Sequence, residues 1–336
     1  MPRHPLTAAL TVLAALASTG ALAHHSAAAF DTEVETAVTG TVTAYSFRNP
    51  HVYLTLDVRQ PDGSLQRVEI EAGAGSVLNP LGFTRDAVAV GDSVTVRGNP
   101  GKRDPAGLLL GRELYKADGT YYPLNISSRS VYTEAEGSAT SLAGTWFSPR
   151  TSFFGFLGAA NGWPLNEAAR AAMAAAASLP TPQKDCQPIG APALLFYPVA
   201  NQIEVFADRV EMHIDWLDAE RTIWLDGRAH PPATETFAQG HSIGHFEGTS
   251  LLVDSSNFAA NPIGLTTALP SSTAKHLSER FELSADGKQL TYSGTLEDSE
   301  YLNGAVTWSG SWQYRPGMQR SNEACDLETA RKFLDD

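Results

Sequence analysis

The chain has 336 residues, and its 24 Lys and Arg against 37 Asp and Glu give a formal net charge of −13. A protein with this acidic net charge lacks the basic surface with which proteins bind nucleic-acid phosphates. Its negative charge also disfavours binding to anionic lipid surfaces. The length exceeds one small β domain and fits two domains. After the first 23 residues, no apolar run approaches the roughly 20 residues that a membrane-spanning helix needs.

Residues 1–23 have the pattern of a secretory signal peptide. A basic start at Arg3 precedes an apolar stretch from Leu6 to Ala17, and Ala21-Leu22-Ala23 supplies the small residues of a cleavage site. We therefore expect a periplasmic or secreted protein whose mature chain begins at His24.

The expected mature terminus points to a metal. His24 would offer a free α-amine and an imidazole, with His25 directly after it. Nitrogen ligands of this kind suit Cu(II) or Ni(II) better than Mg²⁺ or Ca²⁺. His51 follows Pro50 at the start of a predicted strand, and it adds a third nitrogen if the terminus folds back. The predicted copper ligands are therefore His24, His25 and His51. The alternatives are a terminus without a role and a His51 that only hydrogen-bonds to the backbone.

Residues 24–124 show short alternating segments separated by turns. The predicted strands lie at residues 38–45, 51–58, 65–71, 93–97 and 108–115. A short helical link is expected at 76–83, between the third and fourth strands. This order matches a five-stranded OB-type barrel. Such barrels often bind nucleic acids, but the acidic charge and the lack of a basic, aromatic groove argue against that use here.

Residues 125–141 are rich in Ser, Thr, Glu and Gly, which predicts a linker, and residues 142–336 form the second predicted domain. An alanine-rich helix is expected at 167–178, capped by Asn166. The remaining segments alternate like strands, at 202–206, 209–216, 222–225, 241–246, 250–254, 275–283, 289–296 and 305–314. Eight or so antiparallel strands favour a closed barrel that can hold one small ligand.

Cys186 and Cys325 are the only two cysteines of the chain. An oxidising compartment favours pairing them, so we expect a structural disulfide that ties the end of the chain back to its domain. Copper ligation by this pair is the less favoured alternative.

The second domain also has a lipocalin-like pattern, with Gly144-Thr145-Trp146 at its first strand and Arg315 after its last. The predicted fold is therefore all-β. A five-stranded OB-like barrel is followed by a larger antiparallel, lipocalin-like barrel with one alanine-rich helix.

The first domain carries His24-His25-Ser26 at its expected start, an Asn49-Pro50-His51 strand entry, and Gly91-Asp92 before the fourth strand. With these elements it resembles a family of small exported bacterial proteins of unknown function. The likeness covers roughly residues 24–122 and implies export without an assigned activity.

The second domain resembles an uncharacterised exported bacterial module over about residues 142–326. The matching segments are Cys186–Pro192, Leu225–Pro231, Gly240–Gly248, Leu251–Asp254 and Glu279-Arg280. Relatives usually have Arg at the position of His245, so a role of His245 would be particular to this chain. The resemblance implies no specific activity.

The most reactive segment of the second domain is the strand at 241–247. In a continuous strand, His241, His245 and Glu247 share one face. If that face lines a barrel interior, a histidine and a carboxylate provide a general base and acid, or part of a two-His, one-carboxylate metal site. In the alternatives, the face points to solvent or His241 is structural.

Six other polar or charged residues could form a site only if the tertiary fold brings them together. Two of them, Glu279 and Arg280, are neighbours and therefore face opposite sides of a strand. The set is His230, His276, Glu279, Arg280, Glu297 and Asp298.

We expect the second barrel to bind a small, largely apolar molecule. The predicted ligand-binding residues are Trp216, Trp224, His276, Trp308 and Trp312. An enzyme is the alternative. It would be a lyase, hydratase or isomerase with His241, His245, Glu247 and Asp298 as catalytic candidates, or a copper oxidoreductase using His24 and His51. A structural interaction module, the third class, needs no site.

Overall fold

The computed structural model describes residues 29–128, 135–176, 186–266 and 268–331. The predicted signal peptide, His24 and His25 lie outside the described residues. The predicted all-β class and the succession of a small and a larger barrel are confirmed. The boundaries at 24–124, 125–141 and 142–336 stay predictions.

The first barrel has the predicted OB-like order. Its strands are β1 (Thr36–Ser46), β2 (Tyr53–Arg59), β3 (Leu65–Glu71), β4 (Ser93–Pro100), β5 (Leu108–Lys116) and the short β6 (Tyr121–Pro123). β1 pairs with β2 and β4, and a parallel pairing of β3 with β5 closes five strands into a barrel. The helical link is α1 (Gly75–Leu78), continued by a 3-10 turn at Asn79–Leu81. Alternate apolar residues such as Leu54, Leu56 and Ile70 fill the interior.

The second barrel closes nine strands. They are β7 (Gly144–Phe147), β8 (Ala200–Val205), β9 (Arg209–Ile214), β10 (Ala219–Trp224), β11 (His241–Glu247), β12 (Ser250–Ser256), β13 (Lys275–Leu283), β14 (Gln289–Asp298) and β15 (Val306–Tyr314). Eight of the pairings are antiparallel as expected, whereas β10 and β11 run parallel. The reason is the long connection at residues 225–240, which has the length of a crossover rather than of a hairpin.

Three helices accompany this barrel: α2 (Arg150–Ala160), α3 (Glu167–Ala176) and α4 (Leu327–Arg331). The alanine-rich helix was predicted and is α3. α2 was not predicted because its segment contains two glycines and a cluster of Phe, which favour no helix by themselves. Tertiary packing decides instead, since Phe156 stacks on Phe196 with ring centroids 4.1 Å apart.

Aromatic side chains fill the interior of the second barrel. Trp146, Phe196, Tyr292 and Trp312 are all fully buried. The Tyr292 ring packs edge to face against Phe196 and tilted against Trp312, and the Trp146 ring packs tilted against Tyr314. The packing is so close that a Cβ on Gly310 would lie 2.6 Å from the Tyr292 ring. The rings of the chain itself therefore occupy the space in which the sequence predicted a ligand.

The polar part of this interior is a buried ion pair. Arg221 forms a bidentate pair with Glu279, with Nη1 3.0 Å from Oε1, and both side chains are almost completely buried. Arg221 also donates to the hydroxyls of Ser242 (3.1 Å) and Ser255 (2.8 Å). Because each nitrogen of the guanidinium has an acceptor, the desolvation cost of the charges is compensated locally.

The end of the chain holds the two barrels together. The Cys186–Cys325 disulfide is present, with a Cα–Cα distance of 5.8 Å, as predicted. Next to it, Asn49 of the first barrel donates through Nδ2 to the carbonyl of Glu323 (2.8 Å) and accepts at its own carbonyl from the Asp326 amide (2.8 Å). Arg85 pairs with the Glu323 carboxylate. The disulfide thus fixes the segment on which the first barrel docks.

Lys275 is a fully buried amine at the start of β13. Its Nζ donates to the carbonyls of Ala191 (2.9 Å) and Gly264 (3.1 Å) and lies 4.1 Å from the centre of the Phe258 ring. Burial lowers the pKa of Lys275 from its usual value to about 7.

Removing the disulfide should destabilise the protein. Closing a loop with a sequence separation of 139 residues contributes roughly 4–5 kcal/mol in the chain-entropy model. We expect the Cys186→Ser, Cys325→Ser double variant to lose a few kcal/mol of unfolding free energy in urea titrations, while denatured, non-reduced wild type shows no free thiol. Equal stability of the two proteins would contradict this role.

Lys275 should make stability depend on pH. The folded amine loses its proton near pH 7, whereas the unfolded lysine keeps its proton to about pH 10. The unfolding free energy should therefore rise with pH in this window, by at most about 1.4 kcal/mol per pH unit. Urea titrations at pH 7.5 and 9.5 should show this rise in wild type and a smaller one in Lys275→Met. Parallel pH dependences would refute it.

Candidate functional site

The strand at 241–247 presents its reactive face to the outside of the second barrel. A tight turn at Gly248, with φ +62°, joins β11 to β12 and pairs Ile243 with Asp254 and His245 with Leu252. Ser242 is buried in the interior, so strand alternation places His241, Ile243, His245 and Glu247 outside. The strand is continuous and these residues share one face, as expected. That face points to solvent and does not line the barrel interior.

An open groove of about 650 Å³ lies on this outer face, across β10 to β14. Its centre is apolar, with Trp224, Ile243 and Leu252, and its ends are polar. The groove is lined by Trp224, Leu225, Gly227, Arg228, Ile243, Gly244, His245, Leu252, Val253, Asp254, Ser278, Glu279, Arg280, Ser293 and Gly294. Such an apolar centre with a few converging polar groups is typical of small-molecule sites.

One wall of the groove is built by the segment after β10. Gly227 turns the chain with φ +77°, and Arg228 then stacks over the Trp224 ring at 3.6 Å. Asp226 accepts two hydrogen bonds from Arg228 Nε, at 2.9 and 3.0 Å. These hydrogen bonds lower the pKa of Asp226 to about 2. The wall is therefore a stacked, ion-paired unit rather than a loose hairpin tip.

One polar end of the groove is formed by His245, Glu247 and Arg280. His245 Nε2 lies 3.6 Å from Glu247 Oε1, and Arg280 Nη1 lies 3.9 Å from the other oxygen of Glu247. Arg280 also donates to Ser250 Oγ at 2.8 Å. All three side chains are exposed enough to reach a ligand with a hydrogen-bonding group.

The other end carries the histidine–aspartate array, which we define as His230, His241, Asp254 and His276. The Asp254 carboxylate lies between two imidazoles, 2.8 Å from His230 Nε2 and 2.8 Å from His276 Nε2. The second ring nitrogen of His230, Nδ1, lies 2.9 Å from His241 Nδ1. Glu297 follows at 3.6 Å from His276 Nδ1. Burial first, and then the nearby His230 and Arg228, lower the pKa of His241.

Asn257 fixes the loop that delivers His230 to the array. This residue follows β12 and adopts φ +58°. Its Nδ2 donates to the carbonyls of Pro231 (3.2 Å), Pro232 (2.9 Å) and Glu235 (2.9 Å). Because the loop is held directly after His230, the imidazole has a defined position beside β11 and β12.

The predicted site residues divide into two groups. Trp224 and His245 line the outer groove, and Glu247 lies beside His245. His276 contacts the lining residue Asp254, and His241 is connected to Asp254 through His230. The others lie elsewhere: Asp298 is buried and accepts from the Ser272 amide and hydroxyl (2.8 and 2.7 Å), and Trp216, Trp308 and Trp312 belong to the core. The structure therefore does not bring the five predicted ligand-binding residues together.

Asp254 is the site residue that sequence reasoning missed. The carboxylate connected to His241 is Asp254, through His230, rather than Glu247 or Asp298. The available signal was the β11–β12 hairpin: a turn at Gly248 places Asp254 opposite Ile243, on the same face as His241. The sequence prediction instead pairs His241 with Glu247 of its own strand or with Asp298 of a later segment.

His51 forms a second candidate centre, at the mouth of the first barrel. Its Nδ1 lies 3.4 Å from Glu71 Oε1 and 3.3 Å from the Ala72 carbonyl. Glu71 is fully buried and also accepts from the Tyr53 hydroxyl at 3.3 Å. With Nδ1 directed at these acceptors, Nε2 is the ring nitrogen left for a ligand.

A third group lies on the outer face of β8 and β9. Glu204, Glu211 and His213 bring one potential ligand atom each within 4.8 Å of one another. Arg209 neutralises Glu211 through a hydrogen bond of 2.6 Å, and His213 also lies 3.2 Å from Glu220. This arrangement is an ordinary network of surface charges.

Part of the chain is similar to a known protein family. A family of unknown function (DUF6152) matches residues 12–109, which reach from the predicted signal peptide to the start of β5. This agrees with the resemblance based on Asn49-Pro50-His51. No curated protein matches the chain. Among the described residues, no helix has the length and apolar character needed to cross a membrane.

Proposed function

We propose that this two-barrel protein is exported and binds a small, largely apolar molecule in the outer groove of its second barrel. The observation that supports the proposal is the groove itself: about 650 Å³ is within the range of small-molecule sites. The aromatic rings that fill the barrel interior also support a site on the outer face rather than inside.

The groove favours a flat apolar molecule with one hydrogen-bonding group. Trp224 and Leu252 offer apolar surface, whose removal from water contributes about 25 cal/mol per Å². Arg280 and His245 at one end can donate to a carbonyl or hydroxyl oxygen. The enzyme alternative, a lyase, hydratase or isomerase, would act from the opposite end, where Asp254 lines the groove and connects through His230 to His241.

The neutral, solvent-sensitive naphthalene dye prodan tests this site, because it combines a flat apolar body with a ketone. Leu252→Asp places a charge on the groove floor, and Ser293→Trp fills the groove. We expect each variant to weaken prodan binding at least tenfold, as measured by the blue shift and intensity of its emission.

The control for these variants is Val205→Asp. Val205 is an exposed apolar residue of the same barrel, on β8 and outside the groove. Its substitution should leave prodan affinity unchanged. If Leu252→Asp and Ser293→Trp keep wild-type affinity while remaining folded, the groove is not the ligand site.

We propose copper as the cofactor of a second site, at the first barrel. The support is the environment of His51: a carboxylate and a carbonyl at Nδ1 orient the ring and leave Nε2 for a metal. The α-amine and imidazole of His24, with His25, would complete the nitrogen set after cleavage. Such a site serves copper delivery or redox chemistry, which keeps a copper oxidoreductase as an alternative function.

Blocking the α-amine tests the copper site. One residue added before His24, or His51→Gln, should lower the number of tightly bound Cu(II) ions by one per chain, since each change removes a ligand. Competition titrations followed by electron paramagnetic resonance measure this number. His213→Gln serves as a control that should not change it. Unchanged tight binding after the terminal extension would reject the site.

A further inference from the structure

Two imidazoles of the histidine–aspartate array lie with the same type of ring nitrogen, Nδ1, close together. His230 comes from the loop after β10 and His241 from the start of β11, and their Nδ1 atoms lie 2.9 Å apart. The ring planes are inclined by 76°. Nitrogens bound to one tetrahedral Zn²⁺ at 2.0–2.1 Å are about 3.3 Å apart. The pair is therefore within a few tenths of an ångström of the spacing that a shared ion requires.

The tautomer of His230 follows from its second nitrogen. Nε2 lies 2.8 Å from Asp254 Oδ1, and an ionised carboxylate only accepts hydrogen bonds. Nε2 therefore carries the proton, and in the neutral ring Nδ1 presents its lone pair toward His241. A carboxylate behind a histidine is the usual support of a metal-ligating imidazole, because it fixes the ring and raises its basicity.

Packing also holds the ring of His241 in place. Phe237 lies beside this ring, with centroids 6.1 Å apart.

Asp254 and His276 complete the support. The second oxygen of Asp254 accepts from His276 Nε2 at 2.8 Å, and Glu297 lies behind His276 at 3.6 Å. The carboxylate is thus held on both sides, and its negative charge lies one imidazole away from the point where His230 and His241 meet. This charge would offset that of a bound cation.

We propose that His230 and His241 bind a divalent transition-metal ion such as Zn²⁺ through their Nδ1 atoms, with Asp254 as the positioning carboxylate of His230. Water or a donor atom of a groove ligand takes the remaining coordination positions. This goes beyond the proposed groove function, because it depends on the meeting of two imidazoles and not on the apolar centre of the groove. The ordinary alternative is a single N–H···N hydrogen bond between the rings.

Nuclear magnetic resonance of the histidine side chains tests the proposal, since ¹H–¹⁵N spectra report the state of each ring nitrogen. His230→Gln and His241→Gln assign the signals. On addition of equimolar Zn²⁺, the Nδ1 signals of both residues should shift to values of metal-bound nitrogen while both Nε2 atoms stay protonated. Each single variant should also remove the shift of the other ring.

Asp254→Asn tests the supporting carboxylate. It should weaken Zn²⁺ binding at these two rings about 10- to 100-fold. The matched control is Asp208→Asn, because Asp208 is similarly exposed on the same barrel and pairs with Arg209 (54% exposed, against 45% for Asp254). Equal affinity of the two variants would reject the role of Asp254. Circular dichroism confirms that each variant is folded.

Two results would overturn the site as a whole. In the first, the Nδ1 signals of His230 and His241 stay unchanged at millimolar Zn²⁺. In the second, only His213 or the histidines of the N-terminal region respond, which would place the ion at the surface charges of β8 and β9 or at the predicted copper site.

Discussion

The filled interior of the second barrel is the constraint on which its chemistry depends. Each strand of a closed barrel sends alternate side chains inward, and here the inner positions hold aromatic rings and the Arg221–Glu279 pair. The residues between them must lie outside. His241, His245 and Asp254 therefore share the outer face, where the groove and the histidine–aspartate array lie side by side.

Local backbone geometry then sets the positions on that face. The turn at Gly248 fixes the register of β11 and β12, and Asn257 holds the loop that carries His230. Segments that are separate in sequence, Leu225–Pro231, Gly240–Gly248 and Leu251–Asp254, are brought together in this way. They supply one wall of the groove, its floor and most of the array.

The sequence predicted the strands, the order of the first barrel and the Cys186–Cys325 bridge because alternation, turns and cysteine count are local signals. It missed helix α2, whose Phe156 is fixed by packing on Phe196, and the parallel β10–β11 pair, which depends on a long crossover. The sequence also did not decide whether His241 lies inside or outside the barrel. Alternation shows which residues share a face, but only the packed volume of the interior decides which face is inside.

Methyl-resolved nuclear Overhauser spectroscopy of the protein with prodan tests the outer-groove account most directly. Leu251 and Leu252 are adjacent on β12, yet Leu251 lies in the core and Leu252 lines the groove. The account predicts contacts from the aromatic protons of prodan to the methyl groups of Leu252 and Ile243, and none to those of Leu251. Contacts to the methyl groups of Leu251 would place the ligand inside the barrel and contradict the account.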